Sequence, residues 1–190
     1  MNKFTNWSFE SDQVNDFAFW KEVFTPEECK TIIDLGKSNE MKKGTAEGSD
    51  DVRDSKISWI YVTSETEWIF RKVTDIVMAL NSKYFGFDLF GLAEGFQFTE
   101  YHAPTGKYDA HVDKRFGGMT RKLSLTIQLS NESEYEGGEL TIYRSLKPEF
   151  MPKEQGTLVA FPSYVVHEVK PVSKGSRYSL VAWVTGKPFK

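Results

Sequence analysis

Tyr101-His-Ala-Pro-Thr-Gly-Lys-Tyr108-Asp-Ala-His111-Val-Asp113 is the stretch from which the rest of the chain can be read. On a β-strand, residues i and i+2 point to the same side, so His111 and Asp113 are predicted to present an imidazole and a carboxylate to one point while Val112 faces away. The chain has only three histidines, and another of them, His167, lies in Val165-Val-His167-Glu-Val169, a β-branched run suited to a second strand. Two imidazoles and one carboxylate can occupy one face of an octahedral ion and leave three positions open. That donor set suits a mononuclear ferrous site.

After His167 comes a Pro- and Gly-bearing turn, Lys170 to Ser176. A hairpin centred near Val172 would set Arg177 opposite His167, and directly opposed residues share a face. A planar guanidinium grips a carboxylate bidentately. Arg177 is therefore expected to hold the remote end of a small dicarboxylate that chelates the metal at its other end.

From Phe96 onward, short strands alternate with turn clusters in the rhythm of a sandwich or jelly roll. Along Arg121 to Ser130, Leu123, Leu125, Ile127 and Leu129 form one face, and Ser124, Thr126 and Gln128 the other. The leucine face is expected to pack under helices and the polar face to line a pocket. In the last strand Arg177, Ser179, Val181 and Trp183 alternate with Tyr178, Leu180, Ala182 and Val184. Trp183 is thus either a wall of the same pocket or a core aromatic. His102, next to Tyr101, should face outward as a surface histidine.

These segments resemble the iron(II)- and 2-oxoglutarate-dependent oxygenases, and within them the prolyl 4-hydroxylase-like branch. The resemblance runs from about Phe96 to Phe189. It includes the tyrosine-turn-tyrosine-HxD segment, the strand Arg121 to Ser130, the glycine pair of Tyr135-Glu-Gly-Gly138, the strand Gly156 to Pro162, and the closing His167 to Trp183.

The resemblance implies a mainly β fold with flanking helices (α+β), a double-stranded β-helix or jelly roll supported by N-terminal helices. One dioxygenase domain would cover 1–190, with 1–95 supplying helical support and edge strands and 96–190 the core. It implies catalytic iron ligands at His111, Asp113 and His167. Arg177 would hold 2-oxoglutarate, with Tyr101, Gln128 and Thr126 also against this cosubstrate. Many animal and plant relatives carry a tyrosine where this chain has Gln128. Arg121 lies where related prolyl hydroxylases place a substrate-contacting arginine, and Trp183 and Tyr108 are expected beside it.

The implied activity is hydroxylation of an unactivated C–H bond, of prolyl 4-hydroxylase type on peptidyl-proline, using Fe(II), 2-oxoglutarate and O2, with ascorbate as reductant. Succinate and carbon dioxide are the co-products. Hydroxylation of a free amino acid or small metabolite, and a non-catalytic metal-binding β-barrel, are the alternatives. The nucleic-acid branch of the superfamily carries a second arginine where this chain has Trp183. The halogenases replace the carboxylate that is intact here at Asp113.

Upstream, Thr25-Pro-Glu-Glu28 and Ser64-Glu-Thr-Glu67 are capping boxes that announce two helices, to about Lys37 and Lys83. Ile32, Ile33 and Leu35 supply the first buried stripe, and Trp68, Ile69, Val73, Ile76, Val77 and Leu80 the second. A short strand is expected at Lys56 to Val62, and Tyr84 to Gly95 as a segment closing over the site. Asn39 to Asp54 reads as an exposed loop, and the loops Lys114 to Thr120 and Arg144 to Glu154 should rim the entrance.

At 190 residues and 39% hydrophobic the chain has apolar mass for a sizeable core. A net charge of −3 without a basic stripe argues against nucleic acid as partner, which leaves a protein, peptide or small-molecule substrate. No apolar run reaches membrane-spanning length, Met1 to Glu10 lacks a signal-peptide layout, and the lone Cys29 excludes an internal disulfide. A cytoplasmic location follows as the expectation, with Cys29 a small packing residue.

Overall fold

The computed structural model describes residues 14–46, 51–92, 94–114 and 118–188. The reading of Met1 to Glu10 lies outside the described residues, as do 47–50 and 115–117 within two of the expected loops.

After β1 (Ala18–Trp20), α1 (Pro26–Ser38) starts at the expected capping box. Thr25 Oγ1 accepts from the Glu28 amide, and the Glu28 carboxylate accepts from the Thr25 amide. Its buried stripe is Cys29, Ile32 and Gly36, with Ile33 and Leu35 at the margin. A Cβ at Gly36 would collide with the Phe98 ring, so this glycine lets the helix approach the sheet closely.

Two-residue strands β2 (Lys42–Lys43) and β3 (Arg53–Asp54) lie within the expected loop, and β4 (Lys56–Ile60) is the short strand expected after it, leading to α2 (Glu67–Leu80). The helix runs on as a π-helical turn, Asn81–Phe85. The second capping box does not form. The helix is preceded by Thr66, whose hydroxyl donates to the Tyr61 carbonyl and accepts from the Thr63 amide, so local turn bonds win over the cap.

The second half supplies β5 (Leu89–Leu92), β6 (Phe96–His102), β7 (Lys107–His111), β8 (Arg121–Gln128), β9 (Glu136–Gly137) and β10 (Leu140–Tyr143). It ends with β11 (Pro148–Phe150), β12 (Leu158–Pro162), β13 (His167–Val169), β14 (Val172–Lys174) and β15 (Ser176–Gly186). The major sheet has the order β1-β12-β8-β15-β6-β4-β2, with β5 also on β15, and the second sheet β11-β10-β13-β7-β3. This is the jelly-roll architecture expected for the chain.

Each face of the major sheet carries its own core. Leu123, Leu125, Ile127 and Leu129 of β8, with Leu180, Ala182 and Val184 of β15, pack with Ile32, Ile69, Val73 and Val77 of the helices. On the other face, Tyr101, Val159 and Phe161 meet Leu140, Ile142 and Val169 of the second sheet. The polar residues Ser124, Thr126 and Gln128 are buried on that inner side, as the alternation in β8 predicts.

The hairpin about Val172 is not present. β13 is paired on both edges, with β10 and β7, and β15 is paired on both edges, with β6 and β8. The chain between them crosses from one sheet to the other, while β14 pairs with β9. His167 and Arg177 therefore belong to different sheets. Residues Tyr84 to Leu92 pack on the outer core, and β5 pairs with the end of β15, so this segment is not a cover over the inner face. Among the described residues, no helix is long and apolar enough to cross a membrane.

Candidate metal centre

β7 and β13 run antiparallel with His111 directly opposite His167. Two positions along β13, Tyr108 is opposite Val169, so Asp109 and Ala110 of β7 together stand against Glu168 of β13. This β-bulge brings the Tyr108 and His111 rings together, stacked with centroids 3.5 Å apart. β7 stops at His111, so Asp113 is not on a strand as expected. It lies in the following extended segment, whose Asp113 and Lys114 amides both donate to the Ser163 carbonyl, at 3.0 and 2.8 Å. Val112 is exposed, pointing away from the cluster.

The ligand atoms of His111, Asp113 and His167 all lie within 4.8 Å of one another. Nε2 of His111 is 3.7 Å from Asp113 Oδ1, and Nε2 of His167 is 3.4 Å from Asp113 Oδ2. Each imidazole uses Nδ1 against a backbone carbonyl two residues upstream, Asp109 at 2.7 Å and Val165 at 3.0 Å. That bond puts the proton on Nδ1 and leaves both Nε2 lone pairs free to bind a metal.

Electrostatics favour the same state. Burial, then the neighbouring His167, pushes His111 down to about 4, so it is neutral near pH 7. Burial alone would raise Asp113, but His167, His111, the Ser124 hydroxyl and the Trp183 indole outweigh it and hold the carboxyl below its ordinary value. Two imidazoles and a carboxylate match the donors of a non-haem ferrous ion.

A second polar group lies along the inner row of β15. Arg177 is fully buried, and among the described residues none of its three guanidinium nitrogens has a partner at hydrogen-bond geometry. Among the described residues, both amide atoms of Gln128 and the Ser179 hydroxyl are also buried without partners, and the Tyr135 hydroxyl lies near Arg177 without meeting hydrogen-bond geometry. Ser179 is directly opposite Gln128, and Arg177 is opposite Tyr101, whose ring lies 5.5 Å from the guanidinium. Burial raises the Tyr135 hydroxyl, and the adjacent Arg177 charge opposes that shift. An uncompensated cation in such a place costs several kcal/mol. The chemistry that would satisfy it is an anionic oxygen donor, and a carboxylate fits.

The expected site residues thus separate into groups. His111, Asp113 and His167 converge, as do Arg177, Gln128 and Tyr101. Thr126 faces the inner side opposite Val181. Arg121 sits 3.8 Å over the Trp183 ring and is ion-paired with Glu94 at 2.8 Å. Trp183 is a buried wall whose indole N–H is near Asp113 without meeting hydrogen-bond geometry. His102 is exposed, with Nδ1 2.7 Å from Ser176 Oγ.

Sequence reasoning passed over Ser163, whose backbone holds Asp113, and Tyr135. The one signal for Tyr135 was its place before Gly137-Gly138. Gly138 has φ +64°, and a Cβ there would come 3.1 Å from Arg177 Cδ, so the glycine makes room for the guanidinium.

A family model described as the 2OG-Fe(II) oxygenase superfamily matches residues 96–185. The chain is 37% identical over 78 residues to a PKHD-type hydroxylase of Idiomarina loihiensis, covering 40% of this chain and 36% of that protein. It is 38% identical over 84 residues to a PKHD-type hydroxylase of a Picosynechococcus species, covering 44% and 38%. The matched stretch thus spans little more than a third of the length of these relatives.

Among solved structures, a Pseudomonas putida prolyl-4-hydroxylase superposes with TM-score 0.72 at 20% identity, covering 91% of this chain and 94% of that one. A Trichoplax adhaerens prolyl hydroxylase, in complex with a hypoxia inducible factor oxygen degradation domain peptide fragment, gives 0.75 at 19%, covering 90% and 84%. A collagen prolyl hydroxylase of Paramecium Bursaria Chlorella virus-1, in a 2OG complex, gives 0.70 at 21%, covering 91% and 97%. At these identities the superpositions establish the fold.

Proposed function

We propose that this protein, whose residues 96–185 match the model of the 2OG-Fe(II) oxygenase superfamily, is an iron(II)- and 2-oxoglutarate-dependent dioxygenase that hydroxylates a prolyl residue in a peptide. The observation that carries the reading is the pairing of a convergent His111–Asp113–His167 cluster with a wholly buried Arg177 that meets no partner at hydrogen-bond geometry among the described residues. The names of the PKHD-type relatives support hydroxylation, and the peptide bound to the Trichoplax neighbour supports a peptide substrate.

His111, Asp113 and His167 would hold the ferrous ion, and Arg177 the remote carboxylate of 2-oxoglutarate, with Gln128, Tyr135 and Ser179 beside it. Bound iron and 2-oxoglutarate, with dioxygen as the oxidant, would supply the chemistry that hydroxylates an unactivated C–H bond, with succinate and carbon dioxide as co-products. The protein contributes placement and shielding. The Asp109 and Val165 carbonyls hold the proton of each imidazole on Nδ1, and Ser163 fixes the loop that bears Asp113. The Trp183 ring, capped by Arg121, walls the cluster and keeps water from the carboxylate. A reducing cytoplasm suits the reading, supported by the single buried cysteine.

An anaerobic spectroscopic titration of the apo-protein with ferrous iron and then 2-oxoglutarate tests the cofactor pair. A visible metal-to-ligand band that requires both additions is expected. Proline-containing peptides and free amino acids are then compared by succinate release, with peptides expected to be the better substrates. Tight iron binding with no band and no succinate would leave a metal-binding barrel instead.

A further inference from the structure

His111 is the last residue of its strand, and one hydrogen bond from Nδ1 does not by itself fix the plane of an imidazole. The plane is set by the Tyr108 ring stacked on it at 3.5 Å. Tyr108 in turn carries a second partner. Arg53, directly opposite it across β3 and β7, places its guanidinium 4.7 Å from the Tyr108 ring centre.

Arg53 is 7% exposed and is held from three directions. Nε donates to Ser55 Oγ at 2.8 Å, Nη2 to Gln97 Oε1 at 2.9 Å and Nη1 to the Thr45 carbonyl at 3.4 Å. Gly44 closes the site, since a Cβ there would sit 2.7 Å from Arg53 Nε. These acceptors are all neutral, and together they fix the plane of the guanidinium. A planar guanidinium with fixed donors is a rigid plate against which an aromatic ring can rest.

We propose that Arg53 is a positioning residue for the metal ligand His111, acting through the stacked Tyr108 ring, and so ties the short strands β2 to β4 to the metal centre. The inference rests on the metal reading of the His111–Asp113–His167 cluster and adds a residue outside the family-matched segment to it.

The test is calorimetric titration of the apo-protein with Mn(II), a redox-silent stand-in for ferrous iron, together with the visible spectrum of the Co(II) form. Arg53→Ala and Tyr108→Leu are each expected to weaken Mn(II) binding about 10-fold or more, the range for outer groups that orient a ligand, and to alter the Co(II) bands. Tyr108→Phe keeps the ring and should bind like wild type. Arg53→Lys keeps the charge but loses the plate and should behave like Arg53→Ala. The Arg53→Ala/Tyr108→Leu double variant should bind no more weakly than the worse single one, since both act along one path.

A folded Arg53→Ala variant with wild-type Mn(II) affinity and an unchanged Co(II) spectrum overturns the proposal, even if its melting temperature has dropped. Should Arg53→Ala not fold, the Tyr108 pair decides, and Leu equal to Phe overturns it. Absence of Mn(II) binding by the wild type would overturn the metal centre itself, and this inference with it.

Discussion

His111 and His167 face each other directly across β7 and β13, with imidazole centroids 4.2 Å apart and ring planes at 51°. Like residues on adjacent strands are brought to ligand distance by the ladder alone, and the bulge in β7 decides which way the first of them points. Asp113 then needs only a loop, pinned by Ser163, to complete the set.

Removing one member should therefore abolish metal binding without unfolding the protein. His167→Ala and Asp113→Asn are expected to keep the wild-type circular dichroism spectrum and to show no ferrous- or Mn(II)-induced rise in melting temperature. A rise equal to that of wild type in either variant would remove that residue from the ligand set.

Arg177 presents an opposite pair of effects. Because its guanidinium is fully buried and, among the described residues, without a partner at hydrogen-bond geometry, Arg177→Met should leave the ligand-free protein as stable or more stable, by roughly 1–3 kcal/mol. The same variant should lose stabilisation by 2-oxoglutarate. Thermal denaturation with and without the cosubstrate reads both. A variant that is less stable alone yet still stabilised by 2-oxoglutarate would contradict the assignment on both counts.

Gly138 is required by its backbone as well as by Arg177. Gly138→Ala places a Cβ at φ +64°, 2.9 Å from Val172 Cγ2 and 3.1 Å from Arg177 Cδ, and should cost about 1–3 kcal/mol. Urea denaturation measures the loss, and 2-oxoglutarate affinity should fall with it. Unchanged midpoints would show that the turn relaxes freely.

Cys29 provides a pH signature. Burial is the main cause that pushes its thiol up to about 12 from an ordinary value of 9.0. Between those values the unfolded chain has released the thiol proton and the folded one has not, so stability is full below pH 9 and falls as pH rises toward 12. Comparing wild type with Cys29→Ala from pH 8 to 11 isolates this contribution. The variant should lose stability less steeply, and native Cys29 should react slowly with thiol reagents at pH 8. Parallel curves would mean that the thiol ionises in the folded state as easily as in the unfolded one.

Local chemistry determined much of this protein. The period-2 alternation in Arg121 to Gln128 and in Arg177 to Val184 sorted helix-facing from pocket-facing side chains correctly, because a strand buried on both faces still has to separate apolar from polar side chains. The capping box at Thr25 worked for a similar reason, since its partners lie within one turn. At Thr66 the same type of signal lost to turn bonds from Tyr61 and Thr63, which no box pattern records.

What only the tertiary structure decided is pairing. His167 and Arg177 look like two arms of one hairpin, yet β13 and β15 each have both edges filled by strands distant in sequence, so the segment between them must change sheets. The bulge that turns Tyr108 onto His111, the Ser163 carbonyl under Asp113 and the Arg53 plate behind Tyr108 arise in the same way. Each depends on which strand lies alongside, and long-range burial and hydrogen bonding fix that, whereas the residue types fix only what each strand can offer once it is there.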